Sequence, residues 1–228
     1  MKSDGIGLQA GRGHPSTKEN VLDAAIRLML NQGYTATSVD AICKAAGVTK
    51  GCFFHYFPDK AALTVACAER FMAAQGARIR SAPFQAEPDP LDRLFGALDF
   101  ILEQGADPNM PKSCLIGNLA QEICATHPKM RTVCEQCLGQ TAEMYKAMLD
   151  EARLRYLPES VLDTQSLADY FVALMQGTLI LYKVQGNLSL FEKNIAHYKN
   201  YVRQVFGQPN GRRRRKPVSS RDEGGSRS

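Results

Sequence analysis

At 228 residues, 44% hydrophobic and 22% charged, the chain is large enough to bury one sizeable core or two small ones. The N-terminal stretch MKSDGIGLQAGRGHP lacks an apolar segment of signal-peptide length. The longest apolar run, Tyr170 to Val184, is short for a membrane span and contains Gln176 and Lys183, so a cytoplasmic protein with no membrane partner is expected. Net charge is +5, but Gln208 to Ser228 holds seven Lys or Arg against two acids, leaving 21 basic and 21 acidic residues in the rest. Seven cysteines without a secretion signal read as reduced thiols, with at least one unpaired in any monomer.

Residues 1 to 15 are expected to be unstructured, and order begins at Ser16. Ser16 and Glu19 make a capping box, and Val21, Leu22, Ala25, Ile26 and Met29 form an apolar stripe that stops at Gly33. Thr37, three residues before Asp40, opens a second pattern in which Val39, Ile42, Ala45 and Ala46 recur at helical spacing, which predicts a helix over Ser38 to Ala45. Gly47 follows where positive φ suits a residue without Cβ, and Val48 is the apolar plug beneath the turn. Thr49 then caps a third helix. Phe53 and Phe57, four apart, point inward onto Ile42 and Val48, which leaves Lys50, Gly51, Phe54 and His55 outward. Two short helices around a tight turn, with a small, cationic and aromatic outer face, are the layout of a helix-turn-helix that enters a DNA groove.

Pro58 breaks that helix and Asp59 caps a longer one reaching Ile79. Ser81 to Pro90, with three prolines, reads as a loop. Leu91, Leu94, Phe95, Leu98 and Ile101 mark a helix ending before Gly105, and Ser113 to Thr126, Lys129 to Arg155, Thr164 to Gln185 and Leu188 to Phe206 are helical by period. No alternating strand pattern of convincing length occurs. The fold class is therefore all-α with about nine helices: a helix-turn-helix DNA-binding domain over 16–58, a second helical domain over 59–207, and a basic tail over 208–228 expected to be disordered. That tail reads first as a solvated segment; the alternative is nonspecific phosphate affinity from Arg212 to Lys216.

The stretch TSVDAICKAAGVTKGCFFHYFPDKAAL, Thr37 to Leu63, resembles the DNA-binding signature of the TetR family of bacterial transcriptional regulators. Phe54 stands where many members have Tyr, and Cys52 replaces a usual Thr, Ser or Ala. The resemblance implies that Thr37, Ser38, Thr49, Tyr56 and Lys60 hold phosphates while Lys50, Gly51, Phe54 and His55 approach bases. It also implies that 59–207 is a ligand-binding and dimerisation domain, and that the chain is a repressor, dimeric on a palindromic operator, released when an inducer acts through the helix that begins near Asp59. In the family the last two long helices pair with the same two of another subunit. Here they carry Leu167, Tyr170, Phe171, Leu174, Gly177, Thr178, Leu181 and Tyr182, then Phe191, Ile195, Tyr198, Val202 and Phe206. Periodicity alone fits a monomer core equally well.

A second resemblance rests on Cys114 to Glu122, CLIGNLAQE, and more loosely on Tyr170 to Gly186. Both resemble a subgroup of the family that includes the NemR and AcuR regulators, which respond to electrophiles or small unsaturated acids. On physical grounds Cys114 follows Lys112 and Ser113 at a helix start, a setting that suits a reactive thiol, and Asn118 and Glu122 follow at spacings of four on one face. Cys114, Asn118 and Glu122 are thus the candidate ligand or redox-sensing residues, acting covalently through Cys114 or as a noncovalent pocket.

Cys124, His127, Cys134 and Cys137 have the chemistry of a zinc site, but the short gap and Pro128 make convergence awkward, so they are assigned to packing with Cys43, Cys52 and Cys67. No metal or cofactor is expected. No Ser-His-Asp order, phosphate loop or HExxH pair is present, which argues against an enzyme. The competing reading is a helical redox or metal-binding protein that uses its cysteines without DNA.

Overall fold

The computed structural model describes residues 16–107 and 111–208; the N-terminal segment and the basic tail lie outside them. Among the described residues there are nine α-helices, one 3-10 turn and no strand. Helix α1 spans Thr17–Gln32 and starts on the expected capping box: Ser16 Oγ accepts from the Glu19 amide, and the Glu19 carboxylate accepts from the Ser16 amide at 2.8 Å. Helix α2, Val39–Ala46, is capped by the Ser38 hydroxyl, and Gly47 at φ +68° returns its N–H to the carbonyls of Cys43 and Lys44. Helix α3, Lys50–Tyr56, is capped by the Thr49 hydroxyl. The connecting helix α4, Lys60–Ser81, opens on the Asp59 carboxylate and runs two residues past its expected end.

The proline-rich stretch after α4 is not a plain loop. Pro83–Ala86 forms a 3-10 turn that buries Phe84, whose Cβ lies 2.7 Å from where a Cβ on Gly96 would stand. Helix α5, Pro90–Ala106, begins on buried Asp89, whose carboxylate accepts from the Leu91 and Asp92 amides and from the Tyr156 hydroxyl. Helices α6 (Leu115–Ile123), α7 (Pro128–Tyr156), α8 (Thr164–Gln185) and α9 (Leu188–Val205) complete the chain.

Two hydrophobic cores result. The second is built from the 3-10 turn, α5, α7, α8 and α9, with Leu94, Leu98, Leu149, Phe171, Ile195 and Tyr198 at its centre. The first contains Ile26, Met29, Ile42, Phe53, Leu63 and Cys67 from α1 to α4, and it continues into Leu115, Ile116, Leu119 and Ile123 of α6 and Met130 and Cys134 of α7. The packing that supports the helix-turn-helix therefore crosses position 59 and takes in residues far along the chain. A bidentate ion pair from Arg70 on α4 to Asp23 on α1, at 2.7 and 3.0 Å, fastens the same unit from outside.

The apolar stripe of α9 lies inside the monomer: Phe191, Ile195, Tyr198, Val202 and Phe206 are all buried. On α8, Leu167, Phe171 and Thr178 are buried too, while Tyr170, Ile180, Leu181 and Val184 are exposed, Val184 by 80%. The expected partner surface is thus narrower than the sequence pattern, because α5 and α7 cover most of the apolar area on the two helices. Helix α8 is also, among the described residues, the one helix long and apolar enough to cross a bilayer by length and composition. Gln176 and Lys183 interrupt it.

Candidate nucleic-acid interface and internal cavity

Helix α3 shows which way its side chains are forced to point. Phe53 is fully buried and Phe57 nearly so, with their ring centroids 5.9 Å apart, so burial worth about 2–3 kcal/mol for each ring locks the helix onto α1 and α2. The opposite face is consequently exposed: Lys50, Gly51, Phe54, His55 and Tyr56. Phe54 is 52% exposed although it touches Phe53 edge-on, an unusual display for so apolar a group. His55 and Tyr56 stack edge to face beside it. Lys50 pairs with Asp40 of α2 at 2.7 Å in full solvent, and that bond raises the lysine's pKa. Gly51 leaves open space, with nothing nearer than the Thr49 hydroxyl at 3.8 Å.

The five phosphate-holding candidates divide. Ser38 and Thr49 are exposed and sit at helix starts, but their hydroxyls already cap α2 and α3. Tyr56 is exposed. Thr37 is fully buried, and its hydroxyl donates to the Gly33 carbonyl at 2.7 Å, so the cap of α2 expected from it is supplied by Ser38 instead. Gly33, at φ +84°, turns its carbonyl out of α1, and the loop that follows supplies the donor it needs. Lys60 is half-buried: its ammonium donates to the Tyr34 carbonyl at 2.5 Å and lies 3.8 Å from the Tyr34 ring centroid. Burial lowers its pKa, while the charge of Glu122 acts in the opposite sense.

Between the two cores lies a cavity of about 780 Å³, within the range of drug-sized ligand sites. Its walls are mostly apolar, including Phe71, Met72, Phe100, Met144, Phe171 and Phe191, with the amides of Gln136, Gln140 and Gln176 among the polar groups. Cys114 lines it. Its Sγ is the N-cap of α6, accepting from the Gly117 amide at 3.5 Å. Lys112 also reaches the wall, with its ammonium bound to the carbonyls of Gly105 and Asp107.

Asn118 and Glu122 do not line the cavity, and here the expected trio separates. Only the first turn of α6 borders the open space, because further along the helix turns this face toward α1. Asn118 Nδ2 is buried without a hydrogen-bond partner. Glu122 accepts a hydrogen bond from the Thr35 amide at 3.0 Å, and its carboxylate stands 2.4 Å from where a Cβ on Gly33 would be. Sequence reasoning missed this long-range contact; the only local signal was the glycine after α1.

Burial raises the pKa of Cys43, Cys67, Cys134 and Cys137, keeping them as thiols. Cys134 is pushed up to about 12, first by burial and then by its hydrogen bond with Cys124. Among the described residues no three His, Cys, Asp or Glu side chains are gathered to hold a metal ion.

Comparison with known proteins adds an independent line. Residues 21–67 match the model of bacterial regulatory proteins of the tetR family, and residues 90–198 match that of the tetracyclin repressor-like C-terminal domain. The transcriptional repressor NemR of Escherichia coli K12 is 26% identical over 186 residues, covering 82% of this chain and 94% of that protein. The regulator AcuR of Cereibacter sphaeroides is 28% identical over 181 residues, 76% of this chain and 81% of its own. The crystal structure of reduced E. coli NemR superposes with a TM-score of 0.71 over 81% of this chain and 95% of that one, at 26% identity. A regulator from Chloroflexus aurantiacus, 24% identical, shares the fold with a TM-score of 0.74 over 82% of this chain and 94% of its own. The helix-turn-helix, the helical C-terminal half and both family matches agree: the chain belongs to the TetR family of bacterial regulatory proteins.

Proposed function

We propose that the chain is a cytoplasmic, dimeric repressor that binds a palindromic operator and leaves it when a small molecule or electrophile occupies the cavity. The observation that carries the DNA-binding half is the outer face of α3. There Lys50, Gly51, Phe54, His55 and Tyr56 are displayed by a helix whose other side is pinned by Phe53 and Phe57. Lys50 and His55 supply donors for base edges, and Phe54 supplies an apolar contact for a thymine methyl. Ser38, Thr49 and Tyr56 stand around that face as phosphate contacts, and Lys60 and Thr37 join them only by giving up their present partners.

Two copies would present two α3 helices to successive major grooves, about one helical turn of DNA apart. The exposed α8 residues Tyr170, Ile180, Leu181 and Val184 supply the partner surface, and Gly177, whose Cβ position is open, permits close approach. The inducer site is the cavity, with Cys114 on its wall. Selection of bound duplexes from a random pool, followed by footprinting, tests the reading. Enriched two-fold symmetric sequences support it, and binding without any sequence preference overturns it.

A further inference from the structure

Helix α6 touches the cavity at one end and the DNA-binding motif at the other. Its first turn presents Cys114 and Ile116 to the cavity, and the preceding Ser113 donates to the Leu30 carbonyl of α1 at 3.2 Å. In its middle, Gly117 is the seat of Gln176 from α8: the Gln176 amide oxygen stands 2.1 Å from where a Cβ on Gly117 would be. Gln176 also lines the cavity, so a ligand that moves it changes what presses on α6. At the far end Glu122 holds the Thr35 amide, in the loop between α1 and α2. The same loop is held by Lys60 through Tyr34, and His127, just beyond α6, meets the Tyr34 ring edge-on at 6.2 Å.

We infer that Glu122 is a positioning residue for DNA binding: through its hydrogen bond to Thr35, displacement of α6 at the cavity resets the α1–α2 loop and the start of α2. A helix of this length is stiff, so a push at Gly117 reaches Glu122 with little loss. Gly33 completes the device, because its missing Cβ gives the carboxylate room to lie against the main chain. The Asn118 Nδ2, buried without a partner, would gain a hydrogen bond from any shift of α6 that brought it an acceptor. This path runs alongside the connecting helix α4, the route that the family resemblance implies, and shares the first core with it.

The inference rests on the operator-binding reading, and a double-mutant cycle tests it apart from that reading. The probe is a duplex selected by the parent chain, so failure to select one counts against the reading itself. Gly117→Ala perturbs α6 from the cavity side, Glu122→Ala removes the clamp, and Gly139→Ala, with open space at its Cβ, is the control. Gly117→Ala should change operator affinity by about threefold or more in the parent and by less than about 1.5-fold when Glu122 is Ala. Thr35 amide exchange should rise about tenfold in Glu122→Ala and recover in Glu122→Gln, which keeps an acceptor oxygen. A merely structural role would lower the melting temperature yet leave the Gly117→Ala effect intact. Equal Gly117→Ala effects in both backgrounds, no effect in the parent, or unchanged Thr35 exchange would each overturn the proposal.

Discussion

Lys50 and Lys60 bracket the recognition helix in different surroundings, and their substitutions should separate accordingly. Lys50 is fully exposed and tied only to Asp40. Lys50→Ala should leave the denaturation midpoint unchanged while altering base preference in a binding selection. Lys60 is half-buried against Tyr34, so Lys60→Ala should lower stability by about 1 kcal/mol in urea and weaken all duplexes alike. At Cys114 the expected outcome is chemical. The four buried thiols are held protonated, and of the three partly exposed ones, Cys52, Cys114 and Cys124, it is Cys114 that opens onto the cavity at a helix start, so N-ethylmaleimide should label Cys114 first by mass spectrometry. Cys114→Ser should bind operator normally yet ignore the reagent; release of DNA from that variant would leave only the noncovalent pocket.

The helices were legible in the sequence because each carries its own punctuation. Ser16 with Glu19, Thr49, Asp59 and Gly47 are short-range signals that act where their positions implied, whereas the cap expected of Thr37 falls one residue later, on Ser38. The 3-10 turn was not legible, since three prolines hide a buried Phe84 behind loop composition. Nor was the Glu122 contact, because periodicity says which face of α6 is apolar and nothing about which element meets its polar edge. The buried α9 stripe shows the same limit: a core face and a partner face have one periodicity. Asp89 at the start of α5 gives a pH test of one cap. Burial alone would raise its pKa, but the Tyr156 hydroxyl and the two amides outweigh this and hold it below the ordinary 3.8. Its contribution is therefore complete above about pH 3.8 and lost as pH falls through the lower folded value. Asp89→Asn should cost about 1–2 kcal/mol near neutrality and flatten the acid limb of the stability curve measured by urea unfolding.

On the scale of the whole molecule, the exposed residues of α8 bear on assembly and the charge of the tail on nonspecific binding. Leu181→Asp with Val184→Asp should yield monomers by sedimentation and lose operator affinity by more than tenfold, since a single half-site forfeits the second groove; both are exposed, so the fold should survive. Removing residues 210–228 takes away the entire basic excess, and should reduce nonspecific DNA affinity at low salt while leaving operator choice and dimerisation unchanged. The first core, finally, does not end where the motif's sequence ends. Leu115, Leu119, Ile123 and Met130 form the floor beneath α1 and α4. A chimera that grafts residues 16–58 onto another regulator's sensing half would therefore inherit a foreign floor, with Ile26, Met29 and the Gly33 seat facing side chains selected for a different neighbour. The exposed residues of α3 can be exchanged without disturbing that floor, whereas residues of the two halves that share the first core must be exchanged together.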